Sequence, residues 1–396
     1  MNKYILLFTT VCTLTIQTAF SQNESLSRLW AEIEKNNLTL AALRQESEAV
    51  KMEARIGLAP ENPEVEFAYL WGNSAVGANR LDFSVTQSFD FPSAYAYRNK
   101  IAKLQNQQAD NYYRQQRQNI LIEAGNIYYD IVYQNIRIND MRKCLHLLNE
   151  ISQAYKEKLD AGLITIFELN KVKLTELNLK QNYQHAIATR DQQLTVLKQL
   201  NGGNDFIVQD SVFQTFSLKT DFDSWLSSAE KTDPTLTLFA TEMEISQQQL
   251  KLEKSLWAPQ FSVGYMREQV FANETFQGIK AGVSLPLWHN AHTLKQTQLK
   301  KSALQMKIAD EKSQLYYRLQ AQYNTITRLL AQIDEYEKLL KEINSYELLQ
   351  IALQKGEISL TDYLMEYSVY HDSHEQLFEL YRDLYQQYVD LQIYIY

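Results

Sequence analysis

Carboxylates and imidazoles are the side chains of this sequence whose placement could do chemistry. Glu168 stands six residues after Gly162, Asp362 stands six after Gly356, and Glu366 follows Asp362 by one helical turn. Acids gathered around a pore favour cations and repel anions. A single acid in such a place can equally complement the dipole at the start of a helix. The histidines include two pairs at i, i+3 spacing, His289 with His292 and His371 with His374, the second followed by Glu375. Residues three apart share a helix face, so either pair could offer two metal ligands. Neither has a fixed third ligand in the sequence, so structural or solvated roles are the reading here, with no metal and no cofactor expected. The sequence holds no G-x-S-x-G, P-loop, H-E-x-x-H or paired-Cys motif, and an enzymatic activity is not expected. Tyr112-Tyr113, Tyr128-Tyr129 and Tyr316-Tyr317 read as packing aromatics.

The elements that must position these groups follow from composition. The chain has 396 residues, 39 Lys+Arg and 47 Asp+Glu, for a net charge of −8. An acidic balance argues against a nucleic-acid partner, which needs a basic surface. Only 11 Gly and 6 Pro are present, where an average composition brings roughly 7% and 5%. Folds with a turn every few residues, such as doubly wound sheets and sandwiches, are excluded by that shortage. A few very long helices are predicted instead.

Residues 1–21 read as a secretory leader. Lys3 precedes the largely apolar stretches Ile5 to Phe8 and Val11 to Phe20, and Ala19-Phe20-Ser21 offers small residues for cleavage before Gln22. The apolar stretch is too short and too interrupted for a transmembrane anchor. Val11 before Cys12 does not fit a lipoprotein signal. Cys144 is then the only cysteine left, so no intrachain disulfide can form.

Breakers are absent over long runs. Gly125 alone interrupts Ser93 to Ala161, and none occurs between Leu287 and Lys355, from Gly162 to Asn201, or after Gly356. These runs are rich in good helix formers, and Gly162 and Gly356 sit where helices end. A run of about 68 residues would reach about 100 Å as a helix. Leu319, Ile326, Leu329, Ile333, Tyr336, Leu340 and Ile343 recur in steps of three, four and seven, the spacing of coiled packing.

The chain also repeats. Shifted by 196 places (230 − 34 = 196), Glu34-Lys35 falls on Glu230-Lys231, Thr39-Leu40 on Thr235-Leu236, Pro63 on Pro259 and Tyr69 on Tyr265. Residues 22–204 and 205–396 are read as two structural repeats. Each carries two strand-like stretches, about 63–72 and 80–90 in the first and 259–269 and 276–287 in the second. Val65, Phe67, Tyr69 and Trp71 alternate with Glu64, Glu66 and Ala68, and Ile279, Ala281, Val283 and Leu285 alternate with Lys280, Gly282 and Ser284. Such lengths cross a bilayer as tilted strands, with apolar residues toward lipid and polar ones toward a lumen. Soluble hairpins capping a helical rod are the other reading. Four strands cannot close a barrel, so membrane insertion would require several chains to share one.

The order leader, helix, hairpin, long helix, Gly turn, helix, followed by the same elements again, resembles the TolC-type outer-membrane efflux proteins over the whole chain beyond the leader. The matching stretches are Asn62-Pro63-Glu64-Val65-Glu66-Phe67, Thr86-Gln87-Ser88-Phe89, Gly282-Val283-Ser284-Leu285-Pro286-Leu287, and the turns Gly162-Leu163-Ile164-Thr165 and Gly356-Glu357-Ile358-Ser359. The Asn-Pro-Glu opening is similar to the subgroup serving heavy-metal resistance. The resemblance implies a mainly α fold with a small β part. Long coiled helices would form an α-barrel tunnel, and four strands per chain a shared twelve-stranded barrel in a homotrimer. It implies a periplasmic adaptor docked at the turns around Gly162, Thr165, Gly356 and Ser359, and an inner-membrane transporter of the resistance-nodulation-division type. It places an acidic ring at the narrow entrance on Asp362; by position in this sequence, Glu366 could form a second ring one turn further on, and Glu168 is the counterpart at the first turn. The family's second acidic position falls on Met365 and its latching Arg on Ile358, so this chain departs from the pattern there.

The expected function is therefore passive export of drugs or heavy-metal cations through the outer membrane of a Gram-negative bacterium, in contact with its lipid. A periplasmic adaptor and a secreted coiled-coil structural protein are the alternatives. The first would carry one helical hairpin between Gly-rich β domains, and the second would need no strands.

Overall fold

The computed structural model describes residues 24–72, 79–213, 221–270, 274–286, 291–343 and 345–392. Residues 1–21, read above as a leader, residues 73–78 and 271–273, and His289 lie outside these residues.

Helices dominate. In the first half, α1 (residues 24–36) and α2 (Leu38–Glu53) precede strands β1 (Glu64–Leu70) and β2 (Arg80–Phe89), then α3 (Pro92–Asp160) and α4 (Ile166–Leu200). In the second, α5 (Phe222–Thr232) and α6 (Pro234–Ser255) precede β3 (Gln260–Val270) and β4 (Glu274–Ser284). Helices α7 (Ala291–Glu342), α8 (Ser345–Lys355) and α9 (Leu360–Gln392) follow. The two halves begin alike. Asn37 Oδ1 accepts from the Leu40 amide at 2.8 Å, and Asp233 Oδ1 accepts from the Leu236 amide at 2.9 Å. These two N-caps are again 196 places apart (233 − 37 = 196).

Helix α3 runs for 69 residues without a break at Gly125. The glycine serves packing instead: a Cβ there would lie 2.7 Å from Val389 Cγ1 of α9 and 3.6 Å from the Trp30 ring of α1. Glycine costs the helix about 1 kcal/mol relative to Ala, and close approach of three helices is what that cost secures. One difference from expectation concerns the breaker-free run to Lys355. Helix α7 ends at Glu342 and α8 begins at Ser345. Neither Gly nor Pro is involved, and Ile343 lies between the two helices.

The chain forms two compact units, each drawing on both halves. One comprises the chain up to Ala41, Gln116–Ala229 and Tyr316–Tyr396; the other comprises Ala42–Gln115 and Glu230–Leu315. The first unit holds most of the buried apolar core. Leu26, Leu29, Trp30 and Ile33 of α1 pack with Leu121, Tyr128, Tyr129 and Val132 of α3 and Val389 of α9. Within the coiled stripe, Ile326, Leu329 and Ile333 of α7 pack on Leu377, Leu380 and Leu384 of α9, while Ile343 at its end is exposed.

The second unit carries the sheet. Its order is β1-β2-β3-β4, and every neighbouring pair is antiparallel. The two hairpins join through β2 and β3, with Arg80 to Phe89 facing Val270 to Phe261. Among the described residues, strands β1 and β4 each keep one edge unpaired.

Candidate functional site

Two regions hold the groups singled out above: the Gly turns and the sheet. At the first turn, Gly162 (φ 72°) donates its amide to the Leu159 carbonyl at 2.9 Å and Leu163 donates to Lys158 at 2.8 Å. At the second, Gly356 (φ 73°) donates to Leu353 at 3.2 Å and Glu357 donates to Ala352 at 2.9 Å. Both are Schellman endings, which need a residue tolerant of positive φ. The glycines are therefore there to end α3 and α8.

The helices that follow start alike too. Thr165 caps α4, and Glu168 Oε2 accepts from the Thr165 amide at 2.8 Å and from its hydroxyl at 3.0 Å. Ser359 caps α9; its Oγ accepts from the Asp362 amide at 3.1 Å and donates to Asp362 Oδ2 at 2.6 Å. Glu168 and Asp362 thus hold the same third helical position, each tied to its own capping hydroxyl. The bonds from Thr165, backbone first and hydroxyl second, hold the Glu168 carboxyl below the usual carboxylate range. Asp362 and Glu366 are exposed, while Tyr363, Leu364 and Tyr367 bury the opposite side of α9.

A cation absent from the sequence-based expectation joins this place. Lys171 Nζ donates to Thr361 Oγ1 at 3.2 Å, linking α4 to the residue beside Asp362. Only the i, i+3 spacing from Glu168 could have pointed to it. Around the turns, Leu163, Phe167, Met365 and Val369 are apolar and exposed.

On the sheet, the cross-strand register sorts side chains by face. Val65, Val85, Tyr265 and Ile279 form one row, and Phe89, Phe261 and Val283 another. Most of this face is uncovered, with Ile279 85% exposed and Phe67 66%. The alternate face is more polar, with Glu66 opposite Ser84, Asp82 opposite Glu268, and Ser262 opposite Gly282, although Met266 and Phe276 also lie on it. There Arg80 bridges Asp82 at 2.7 Å and Glu268 at 3.1 Å.

The histidine pair on α9 is divided. His371 Nδ1 lies 3.1 Å from Asp140 Oδ2 of α3, and hydrogen bonds to Asp140 and then Cys144 push its imidazole up to about 10. His374 instead packs its ring between Tyr370 and Phe378, with centroids at 4.6 and 5.9 Å, and burial pushes it down. Its Nε2 is buried with no hydrogen-bond partner among the described residues. His292 is exposed.

No helix among the described residues is long and apolar enough to cross a membrane, which says nothing about strands. No protein-family model and no curated protein sequence matches the chain. Solved structures do. The CmeC outer membrane channel of Campylobacter jejuni superposes with a TM-score of 0.70 at 15% identity, covering 94% of this chain and 85% of that one. CusC, whose structures concern folding and transmembrane channel formation, gives 0.70 at 13% identity over 94% and 92%. The open state of the MtrE outer membrane channel of Neisseria gonorrhoeae gives 0.69 at 13% identity over 93% and 88%. At these identities the likeness is one of fold, and it spans nearly the whole of both partners: the chain carries the fold of the TolC-type outer-membrane channels.

Proposed function

We propose that the protein is the outer-membrane channel of a tripartite efflux pump in a Gram-negative bacterium. The sheet carries this reading. Among the described residues it has two open edges, one uncovered and mainly apolar face and one more polar face. An exposed sheet of that kind is an aggregation hazard in water. Three copies joined edge to edge give twelve strands with no free edge, apolar residues toward outer-membrane lipid and polar ones toward a lumen. Long helices from each copy then form the periplasmic tunnel, and conduction is passive.

Asp362, Glu366 and Glu168 belong to the entrance in this reading, where a three-fold axis would gather three copies of each and favour cations. Both acids at the third helical position remain available as capping partners and as pore-facing charges, because their other oxygen is free of the capping hydroxyl in the bonds described above. The turns at Gly162, Thr165, Gly356 and Ser359, with exposed Leu163 and Phe167, are the docking place for a periplasmic adaptor. An inner-membrane transporter of the resistance-nodulation-division type delivers the cargo, drugs or heavy-metal cations. The similar starts of the two halves support a gene duplication dividing at about residue 204.

Outer membranes extracted with detergent should release a homotrimer that conducts ions in planar bilayers. A monomer recovered from the soluble periplasm would overturn the reading.

A further inference from the structure

Helices α3 and α9 meet at three side chains that a channel does not require. Asp140 and Cys144 lie one turn apart on α3, and His371 faces them from α9. Asp140 Oδ2 is 3.1 Å from His371 Nδ1 and 4.0 Å from Cys144 Sγ. The three ligand atoms all lie within 4.8 Å of one another. Among the described residues this is the cluster of metal-ligating groups of at least three members.

The chemistry of the set is specific. An aspartate–histidine ion pair would need no thiol, yet the only cysteine outside the leader lies against both partners. Thiolate, imidazole and carboxylate together suit zinc and neighbouring first-row ions, while calcium and magnesium take oxygen alone. Ordinary zinc distances and a tetrahedral angle place the nitrogen and oxygen about 3.3 Å apart and the sulfur and oxygen about 3.5 Å apart. The observed nitrogen–oxygen distance of 3.1 Å is close to that value, and the sulfur–oxygen distance of 4.0 Å would have to close by about half an ångström on binding. The site is also held in place: Cys144 is 5% exposed among Met141, Leu148 and Tyr363, and the His371 ring stacks on Tyr367 at 6.1 Å. Asp140 remains one-third exposed, which leaves an entry path.

We propose that Asp140, Cys144 and His371 form a three-ligand site for a divalent transition metal of the zinc class, with water in the fourth position. Binding displaces the thiol proton and any proton on the imidazole, and both go to solvent; the metal keeps its oxidation state. A bound ion cross-links α3 to α9. The site stands independently of the channel reading.

The test uses the full chain in detergent, stripped of metal, with Co²⁺ as a spectroscopic probe. One Co²⁺ per chain should bind with a thiolate-to-cobalt charge-transfer band, and Zn²⁺ should displace it. Cys144→Ser should abolish that band, and His371→Gln should weaken binding by more than the roughly 10–100-fold that loss of an outer-shell partner costs. His146→Gln, on the exposed side of the same helix, should bind as the unaltered chain does. Zn²⁺ added to the unaltered protein in weak buffer should release protons, a readout that needs no variant. Cobalt binding without the charge-transfer band, an unchanged band in Cys144→Ser, or zinc addition without proton release would each overturn the site.

Discussion

Lys171 Nζ donates to Thr361 Oγ1 at 3.2 Å, so the start of α4 is tied to the start of α9 beside Asp362. The acid expected to select cations therefore has a positive neighbour. Charges of opposite sign near one constriction offset each other. Asp362→Ala should lower the preference for K⁺ over Cl⁻ in planar bilayers, and Lys171→Ala should raise it. Reversal potentials under a KCl gradient read both. Identical potentials in all three proteins would move the constriction elsewhere.

The caps make a separate prediction about stability. Thr165→Ala and Ser359→Ala each remove a capping hydroxyl, a loss of roughly 0.5–2 kcal/mol. Faster amide exchange confined to the first turn of α4 or of α9 is the expected signature.

Glu168 adds a pH dependence at the first turn. Its carboxyl is held below the ordinary value of 4.5 by the bonds from Thr165. A depressed carboxylate contributes stability that is present above the unfolded value and lost as pH falls through the folded one. Protection of the first amides of α4 should thus hold at neutral pH and decline below about 4.5. In Glu168→Gln the decline should be absent.

Gly125 tests packing in the first unit. A Cβ 2.7 Å from Val389 Cγ1 cannot be relieved by a flexible chain end, because valine is branched at Cβ and stiff. Overpacking costs about 1–3 kcal/mol, more than the roughly 1 kcal/mol that alanine gains in a helix. Gly125→Ala should lower the denaturation midpoint, and Val389→Ala in the same chain should recover part of it. Additive losses would mean that the two sites do not touch.

The strand face discriminates lipid from water. A cation on a lipid-facing strand costs roughly 2–4 kcal/mol near the bilayer midplane, and almost nothing on a soluble surface. Ile279→Lys, on the uncovered face, should reduce the amount of trimer recovered from membranes. Ser84→Lys, on the polar face, should leave it unchanged. Equal recovery of both would favour a soluble hairpin pair.

Much of this architecture was readable because it depends on local signals. Gly162 and Gly356 mark helix ends through backbone conformation alone, and the alternation in Val65 to Trp71 marks a strand through period alone. Gly125 looks the same in sequence as an ending glycine, yet it lies inside a helix because Val389, distant in the chain, needs the space. The end of α7 at Glu342 carries no Gly or Pro, so a reading based on breakers passes over it. His371 and His374 read as a pair because they share a helix face. The packing separates them, giving one to Asp140 and the other to Tyr370 and Phe378. No spacing rule connects Cys144 to His371, since a contact between distant helices leaves no period in the sequence.

The unpaired edges of β1 and β4 have one more consequence. In the proposed trimeric channel, a chain that has not yet met its copies bears an uncovered, mainly apolar face and, among the described residues, two rows of backbone groups without strand partners. Any other unfinished strand it encounters can pair with them. On that reading such a chain risks mispairing in water, and a partner that shields the sheet before assembly would protect it.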